Sequence, residues 1–319
     1  MKKIWPIPQI EFLPFLEIEE RRPVALITSG PAWEAVKHRL HLPIAWQIEV
    51  REATETSWAA LLEGFHGDVV YSVGGGLPAD AGKYLAVKKN LPMVCLPTAL
   101  SVDAFLTWAS GIRVEGCVQY IETKVPERLF IDFEVLASAP PQIRAAGICD
   151  VLSIATGSWD WQYAEQKGMN NPDMVYIPYI AQAAQAILNG ALDCAEAAGR
   201  GNPAGLKQLL DCLALEVQLC NQVGHARPEE GSEHYFAYAL ENIVGAGKPH
   251  ADLLGPGILI MAGFQGQDKK LLEKAMRFCQ VPLDTILSEA INVTLHELPA
   301  YVRRHGLPYT IAHELMDKL

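Results

Sequence analysis

Residues 68–89, DVVYSVGGGLPADAGKYLAVKK, run an apolar strand into three glycines and on into a helix. Val69, Val70, Tyr71 and Val73 are β-favouring side chains in one short run. Gly74, Gly75 and Gly76 remove side chains where the backbone turns tightly and let a ligand approach it. Leu77 and Pro78 then open a helical stretch, a place where proline is tolerated because its missing N–H would be unpaired anyway. A glycine turn at a helix N-terminus presents unpaired N–H groups and a partial positive charge, which suits a phosphate.

Working outward from this turn, strands and helices alternate through the first 140 residues. PVALITSG ends a strand at Gly30 and PAWEAVKHRL follows as a helix; AWQIEV and SWAALLEGF repeat the pair. PMVCLPT is a further strand, and RLFIDFEVLASAP adds one at Leu129–Ile131. Such alternation predicts a parallel sheet covered by helices. Ligands of such sheets sit beyond the carboxyl ends of the strands, where TSGP, GGGLP and PTALS all fall.

After Pro140 and Pro141 the period changes. Leu206, Leu209, Leu210, Leu213 and Val217 recur at helical spacing behind a cap at Asn202 and a proline at position 203. YIAQAAQAILNGAL, HYFAYALENIV and DTILSEAINVTLHEL also read as helices, so the second half is expected to be all-helical. The two expected domains are 1–140 and 141–319.

Half the 319 residues are hydrophobic and a fifth are charged, with a net charge of −11. That charge would repel nucleic acid and anionic membranes. The seven cysteines contain no C-x-x-C pair, and an odd number fits reduced thiols better than a disulfide framework. The N-terminal stretch is broken by prolines at 6, 8 and 14 and lacks the apolar core of a signal peptide. No apolar run is long enough to span a bilayer. The expectation is a soluble cytoplasmic protein without membrane insertion.

In the second half three polar residues stand out. Asp150 is the only acid in AAGICDVLSIATG, His234 lies in EEGSEHYFAYALE, and His250 precedes the apolar run ADLLGPGILIMAGF. A carboxylate in apolar surroundings must be paired, protonated or bound to a cation. One carboxylate and two imidazoles form a sensible ligand set for a divalent metal such as zinc. By count alone His38, His66, His225, His296 and His313 are equally available.

The order of these segments resembles the superfamily of iron-containing alcohol dehydrogenases, glycerol dehydrogenases and dehydroquinate synthases. Within it the likeness is strongest to glycerol-1-phosphate dehydrogenases. TSGP, GGGLPADAGKY, LPTALSVD, AGICDVLSIATGSWDW, GSEH and PHAD are similar to that family's motifs and keep their order from about residue 24 to about 310. The resemblance implies a Rossmann-like parallel-sheet N-terminal domain and an all-α C-terminal domain, the dehydroquinate synthase-like fold.

It also implies site residues. Gly74, Gly75 and Gly76 would take the pyrophosphate of NAD or NADP, with Thr98, Ser101 and Thr107 also touching the cofactor. Asp103 would touch the substrate, and Asp150, His234 and His250 would hold the metal, with zinc, iron or nickel as candidates. The implied activity is a metal-dependent NAD(P)-linked interconversion of a polyol or polyol phosphate and its ketone, catalysed around Asp103 and Asp150. The family's habit of assembly implies a homo-oligomer. A cyclase of the dehydroquinate synthase kind and a non-catalytic homologue are the alternatives.

Several positions depart from the family pattern. Val102 and Ala104 flank Asp103 where His and Gly are usual, and Tyr238 stands where a substrate-binding histidine is usual. Ala251 and Asp252 replace Gly and Glu, and Cys149 replaces Gly. These changes leave the implied metal and cofactor residues in place and bear on the substrate. The strand end LITSG lacks an acid to grip an adenosine ribose, so NAD and NADP are not separated. Arg227 and Lys248 flank the ligand segments and read as solvated surface charges rather than phosphate contacts.

Overall fold

A computed structural model describes residues 3–317. Met1, Lys2, Lys318 and Leu319 lie outside the described residues, so the readings that touch these four are not addressed by it. The chain forms two compact units that meet in sequence at Pro140/Pro141, with Ile4 grouped with the later unit.

The first unit, Trp5–Pro140, is built on a six-stranded sheet. Its strands are β1 (Gln9–Phe12), β2 (Val24–Thr28), β3 (Ile44–Glu49), β4 (Val69–Gly74), β5 (Met93–Pro97) and β8 (Arg128–Ile131). Spatially they run β1-β8-β5-β4-β2-β3, and every pairing is parallel. Helices α1 (Gly30–Val36), α2 (Glu55–Ala60), α3 (Gly76–Lys89) and α4 (Phe133–Ser138) connect or follow the strands. β2, β4 and β5 are buried along their whole length, which is why they read as unbroken apolar runs. One face of the sheet packs Val24, Leu26, Val69, Tyr71, Val73, Val94, Leu96 and Phe130 into a common core.

Two features of this unit were not anticipated from the sequence. β1 adds a parallel edge strand beside β8. A separate antiparallel hairpin joins β6 (Ala109–Val114) to β7 (Cys117–Glu122). Its turn is Glu115–Gly116, both at positive φ (51° and 77°), the backbone that a two-residue hairpin turn demands.

The strand order reverses between β3 and β4. β2 pairs with β3 on one side and β4 on the other. The carboxyl ends of β2 and β4 therefore flank a topological switch point, where sheets of this kind bind ligands.

The second unit is helical among the described residues. α5 (Pro141–Arg144) and α6 (Ile148–Leu152) are short; α7 (Ile154–Gln166), α8 (Pro178–Gly199), α9 (Pro203–Val223) and α10 (Ser232–Val244) follow. α11 (His250–Phe264), α12 (Lys269–Phe278), α13 (Ser288–Arg304) and a 3₁₀ segment, Ile311–Asp317, complete it. Asn202 caps α9 with its side-chain oxygen accepting from the Ala204 and Gly205 N–H groups. A cap of this kind stabilises a helix by about 1 kcal/mol. Leu206, Leu209, Leu210, Leu213 and Val217 form the buried stripe of α9 that their spacing foretold.

Candidate functional site

Two arrangements bring the expected site residues together, one in each unit. In the sheet unit, Gly74 ends β4 at φ +136°, a backbone that side-chain-bearing residues rarely adopt. Gly75 and Gly76 open α3, a fourteen-residue helix whose first N–H groups have no intrahelical acceptor. A Cβ on Gly75 would lie 2.9 Å from the Ser101 hydroxyl oxygen, and one on Gly76 would lie 3.0 Å from a Val102 methyl. The Thr98 N–H donates to the Gly74 carbonyl at 3.4 Å. The glycine turn, Thr98 and Ser101 are thus brought together.

The β2 end joins them. The Thr28 hydroxyl donates to the Val73 carbonyl at 2.9 Å, and the Ser29 hydroxyl would lie 3.4 Å from a Cβ on Gly74. Asp103 lies in the turn that follows Ser101, where its carbonyl accepts from the Leu106 N–H at 2.7 Å. Thr107 lies further along the same segment. Its hydroxyl accepts from Lys83 Nζ at 3.0 Å and is 3.0 Å from the Ala109 carbonyl.

In the helical unit, Asp150, His234 and His250 come from α6, α10 and the first position of α11. Each offers one ligand atom, and these atoms all lie within 4.8 Å of one another. His250 Nε2 is 3.4 Å from Asp150 Oδ1, and the two imidazole centroids are 5.5 Å apart. Asp150 and His234 are each 7 % exposed, while His250 is partly open.

His234 is oriented by its sequence neighbour. Nδ1 is 2.9 Å from Glu233 Oε1, which also accepts from the Gly231 N–H at 2.6 Å. That leaves Nε2 for another partner, the orientation seen when a carboxylate positions a metal-ligating histidine. Burial opposes a charge on His234, but the Glu233 hydrogen bond and the charges of Glu230, Glu233 and Asp150 outweigh it and raise the ring to about 9. The same negative field favours a divalent cation. The donor set, one carboxylate and two imidazoles, fits such an ion.

Local packing explains how separate helices deliver these groups. Asp160 on α7 accepts from the Ser232 N–H (2.8 Å) and hydroxyl (2.5 Å) and, through its other oxygen, from the Ile311 N–H (2.8 Å). Burial, with Glu233 nearby, pushes the Asp160 carboxyl up to about 6 despite those donors. Gly157 and Gly231 let this loop lie against α7: a Cβ on Gly157 would meet the Glu229 carbonyl at 2.6 Å. Likewise a Cβ on Gly257 of α11 would meet the Glu233 carbonyl at 2.7 Å, so α10 and α11 approach closely just where their histidines meet.

Comparison with known proteins adds the family. Residues 12–140 match the iron-containing alcohol dehydrogenase family. Glycerol-1-phosphate dehydrogenase [NAD(P)+] of Sulfurisphaera tokodaii is 32 % identical over 215 residues, 67 % of this chain and 60 % of that protein. The enzyme of the same name from Methanothrix thermoacetophila is 27 % identical over 218 residues, 68 % of this chain and 60 % of that protein. Glycerol dehydrogenase from Schizosaccharomyces pombe shares the fold, with a TM-score of 0.67 and 21 % identity over 98 % of this chain and 85 % of that structure. The chain is thus similar in sequence to iron-containing alcohol dehydrogenases over its sheet unit, and in fold to glycerol dehydrogenase over nearly its whole length. It matches about 60 % of the length of these curated glycerol-1-phosphate dehydrogenases.

The structure gives Arg227, Tyr238 and Glu230 places that the sequence did not disclose. Arg227 is not a solvated charge: it is 2 % exposed and donates to the Tyr309 carbonyl at 2.9 Å. Its exposed neighbour in that reading, Lys248, does lie at the surface. Tyr238, one turn beyond His234, donates to Glu230 Oε1 at 3.0 Å, with its ring 6.1 Å from the His234 ring. Burial pushes the Glu230 carboxyl up, against the pull of His234 and Tyr238.

Glu49 was missed altogether. No acid ends LITSG, whereas Glu49 ends the next strand, paired with Thr28. Its carboxylate oxygens would lie 3.1 and 3.2 Å from a Cβ on Gly30. The signal was the acid at the end of AWQIEV, but only the strand order places it beside the switch point.

Proposed function

We propose that this protein is a metal-dependent, NAD(P)-linked oxidoreductase that interconverts a polyol or polyol phosphate, of the glycerol 1-phosphate and dihydroxyacetone phosphate kind, with its ketone. The observation that carries this is the convergence of Asp150, His234 and His250 on one point of the helical unit. The glycine turn at the sheet's switch point supports the dinucleotide half of the reading.

Asp150, His234 and His250 would hold the metal, for which zinc suits the two imidazoles and one carboxylate. When bound, the metal supplies Lewis-acid chemistry that makes an alcohol easier to deprotonate, and the nicotinamide supplies a hydride acceptor. Glu233 holds His234 with Nε2 free to ligate. Gly74–Gly76 and the opening N–H groups of α3 take the pyrophosphate, and Thr98 and Ser101 add hydroxyl contacts. Asp103 accepts from a substrate hydroxyl and fixes its orientation. Glu49 accepts from the adenosine ribose hydroxyls and repels a 2′-phosphate, which favours NAD over NADP.

The test is metal analysis of the purified protein, followed by nicotinamide reduction assays with glycerol, glycerol 1-phosphate and a series of short diols. About one divalent ion per chain and reduction with at least one of these substrates are expected. Metal-replete protein that reduces neither NAD nor NADP with any of them would overturn the proposal.

A further inference from the structure

Lys83 lies on α3, beyond the glycine turn, and is completely buried. An ammonium has three protons and no affinity for apolar surroundings. Here they are met by Asp80 Oδ1 (2.9 Å), the Ala104 carbonyl (2.9 Å), the Thr107 hydroxyl (3.0 Å) and carbonyl (3.4 Å), and the Ala109 carbonyl. Asp80 extends the pattern: Oδ2 accepts from the Gly111 N–H at 3.2 Å, and its carbonyl accepts from the Ser110 hydroxyl at 3.0 Å. One face of α3 is therefore stitched to residues 104–111.

Those residues complete the segment that begins at Thr98. Its start is fitted against the glycines, through Ser101 on Gly75 and Val102 on Gly76. Its end hangs on Lys83. Between the two anchors the chain makes only a turn, Asp103–Leu106, so its carbonyls have little regular structure to satisfy them. An apolar side chain would fill the space under this loop without a desolvated charge but would leave these carbonyls unpaired, whereas an ammonium brings three donors to one point.

We propose that Lys83, held by Asp80, is a positioning residue that fixes the Ser101–Thr107 loop over the glycine turn and thereby sets dinucleotide affinity. The Thr107 hydroxyl belongs to this lock, receiving a Lys83 proton and donating its own to a neighbouring carbonyl, rather than to the cofactor. The inference rests on the dinucleotide reading of the glycine turn.

The test compares three variants of the full chain: Lys83→Met, the double variant Asp80→Asn/Lys83→Met, which leaves no unpaired carboxylate, and Val135→Ala. Val135 lies in the core of the same unit, away from the loop, and controls for lost stability. NAD binding is followed by protein fluorescence, and metal content and thermal unfolding are measured on the same samples. The lysine variants are expected to bind NAD at least tenfold more weakly, with the KM for NAD rising more than kcat falls. Their metal content should stay at the wild-type level, and the Val135→Ala dissociation constant should stay within twofold of wild type.

A folded double variant that binds NAD as tightly as wild type would overturn the lock alone. Equal weakening in Val135→Ala would also overturn it, by reducing the effect to stability. Wild-type protein that binds no dinucleotide would overturn the cofactor reading, and the lock with it.

Discussion

Around Gly74–Gly76 the groups offered to a ligand are backbone N–H groups and two small hydroxyls, whereas around Asp150, His234 and His250 they are titratable side chains delivered by three helices. The first arrangement comes from one contiguous stretch and from steric absence: Cβ atoms that would collide are missing. The second comes from tertiary packing, with Asp160 and Glu233 spending buried carboxylates to hold the Gly231–His234 turn. A site made of backbone tolerates little change in shape but is indifferent to pH. A site made of carboxylates and imidazoles is sensitive to charge, because each member stands in the field of the others.

If that contrast is sound, losing a ligand should hit the helical site hardest and leave the sheet site alone. Asp150→Ala and His250→Ala are each expected to lower metal content below a tenth of the wild-type level and to abolish turnover. NAD binding should remain within about twofold of wild type, since it would rest on the other unit. Elemental analysis and a fluorescence titration on the same preparation check both halves. Full metal retention in both variants would break the ligand assignment.

A smaller effect is expected one step back from the metal. Glu233→Gln keeps the shape of the side chain and an oxygen toward Gly231 and His234 but removes the charge. Residues that orient a metal-ligating histidine typically contribute about 10–100-fold to metal affinity, and the lower end of that range is expected here. Competition with a chelator of known affinity would measure it. Unchanged affinity would reduce Glu233 to a packing role and weaken the contrast between the two sites.

The contrast also explains what could be read in advance. Residues 68–89 were legible because strand, turn and helix follow one another, so the parallel-sheet half and its glycine turn could be drawn from local pattern. The helical half was legible from spacing, as along Leu206–Val217. β1 was not, since a four-residue edge strand among prolines has no periodicity to reveal it. The Glu115–Gly116 turn is a local signal for the β6–β7 hairpin. Lys83 and Arg227 were hidden for another reason: burial of a charge depends on which carbonyls the fold gathers around it, and no local pattern reports that.

Glu49 supplies the finest test, because it asks whether strand order alone can place a specificity determinant. Its side chain is 43 % exposed and faces Arg51, 3.6 Å away and 80 % exposed itself. An exposed pair of this kind contributes only about 0.2–1 kcal/mol, so Arg51 leaves most of the carboxylate's charge available to a ligand. A 2′-phosphate brought to that corner of the sheet would meet like charge, whereas two ribose hydroxyls would find an acceptor. Replacing Glu49 with Gln removes the repulsion while keeping a hydrogen-bonding group. The kcat/KM ratio of NADP to NAD should then rise by about tenfold, which corresponds to about 1.4 kcal/mol, with metal content and thermal stability unchanged. A ratio that does not move would mean that the adenosine end of the dinucleotide lies away from β3.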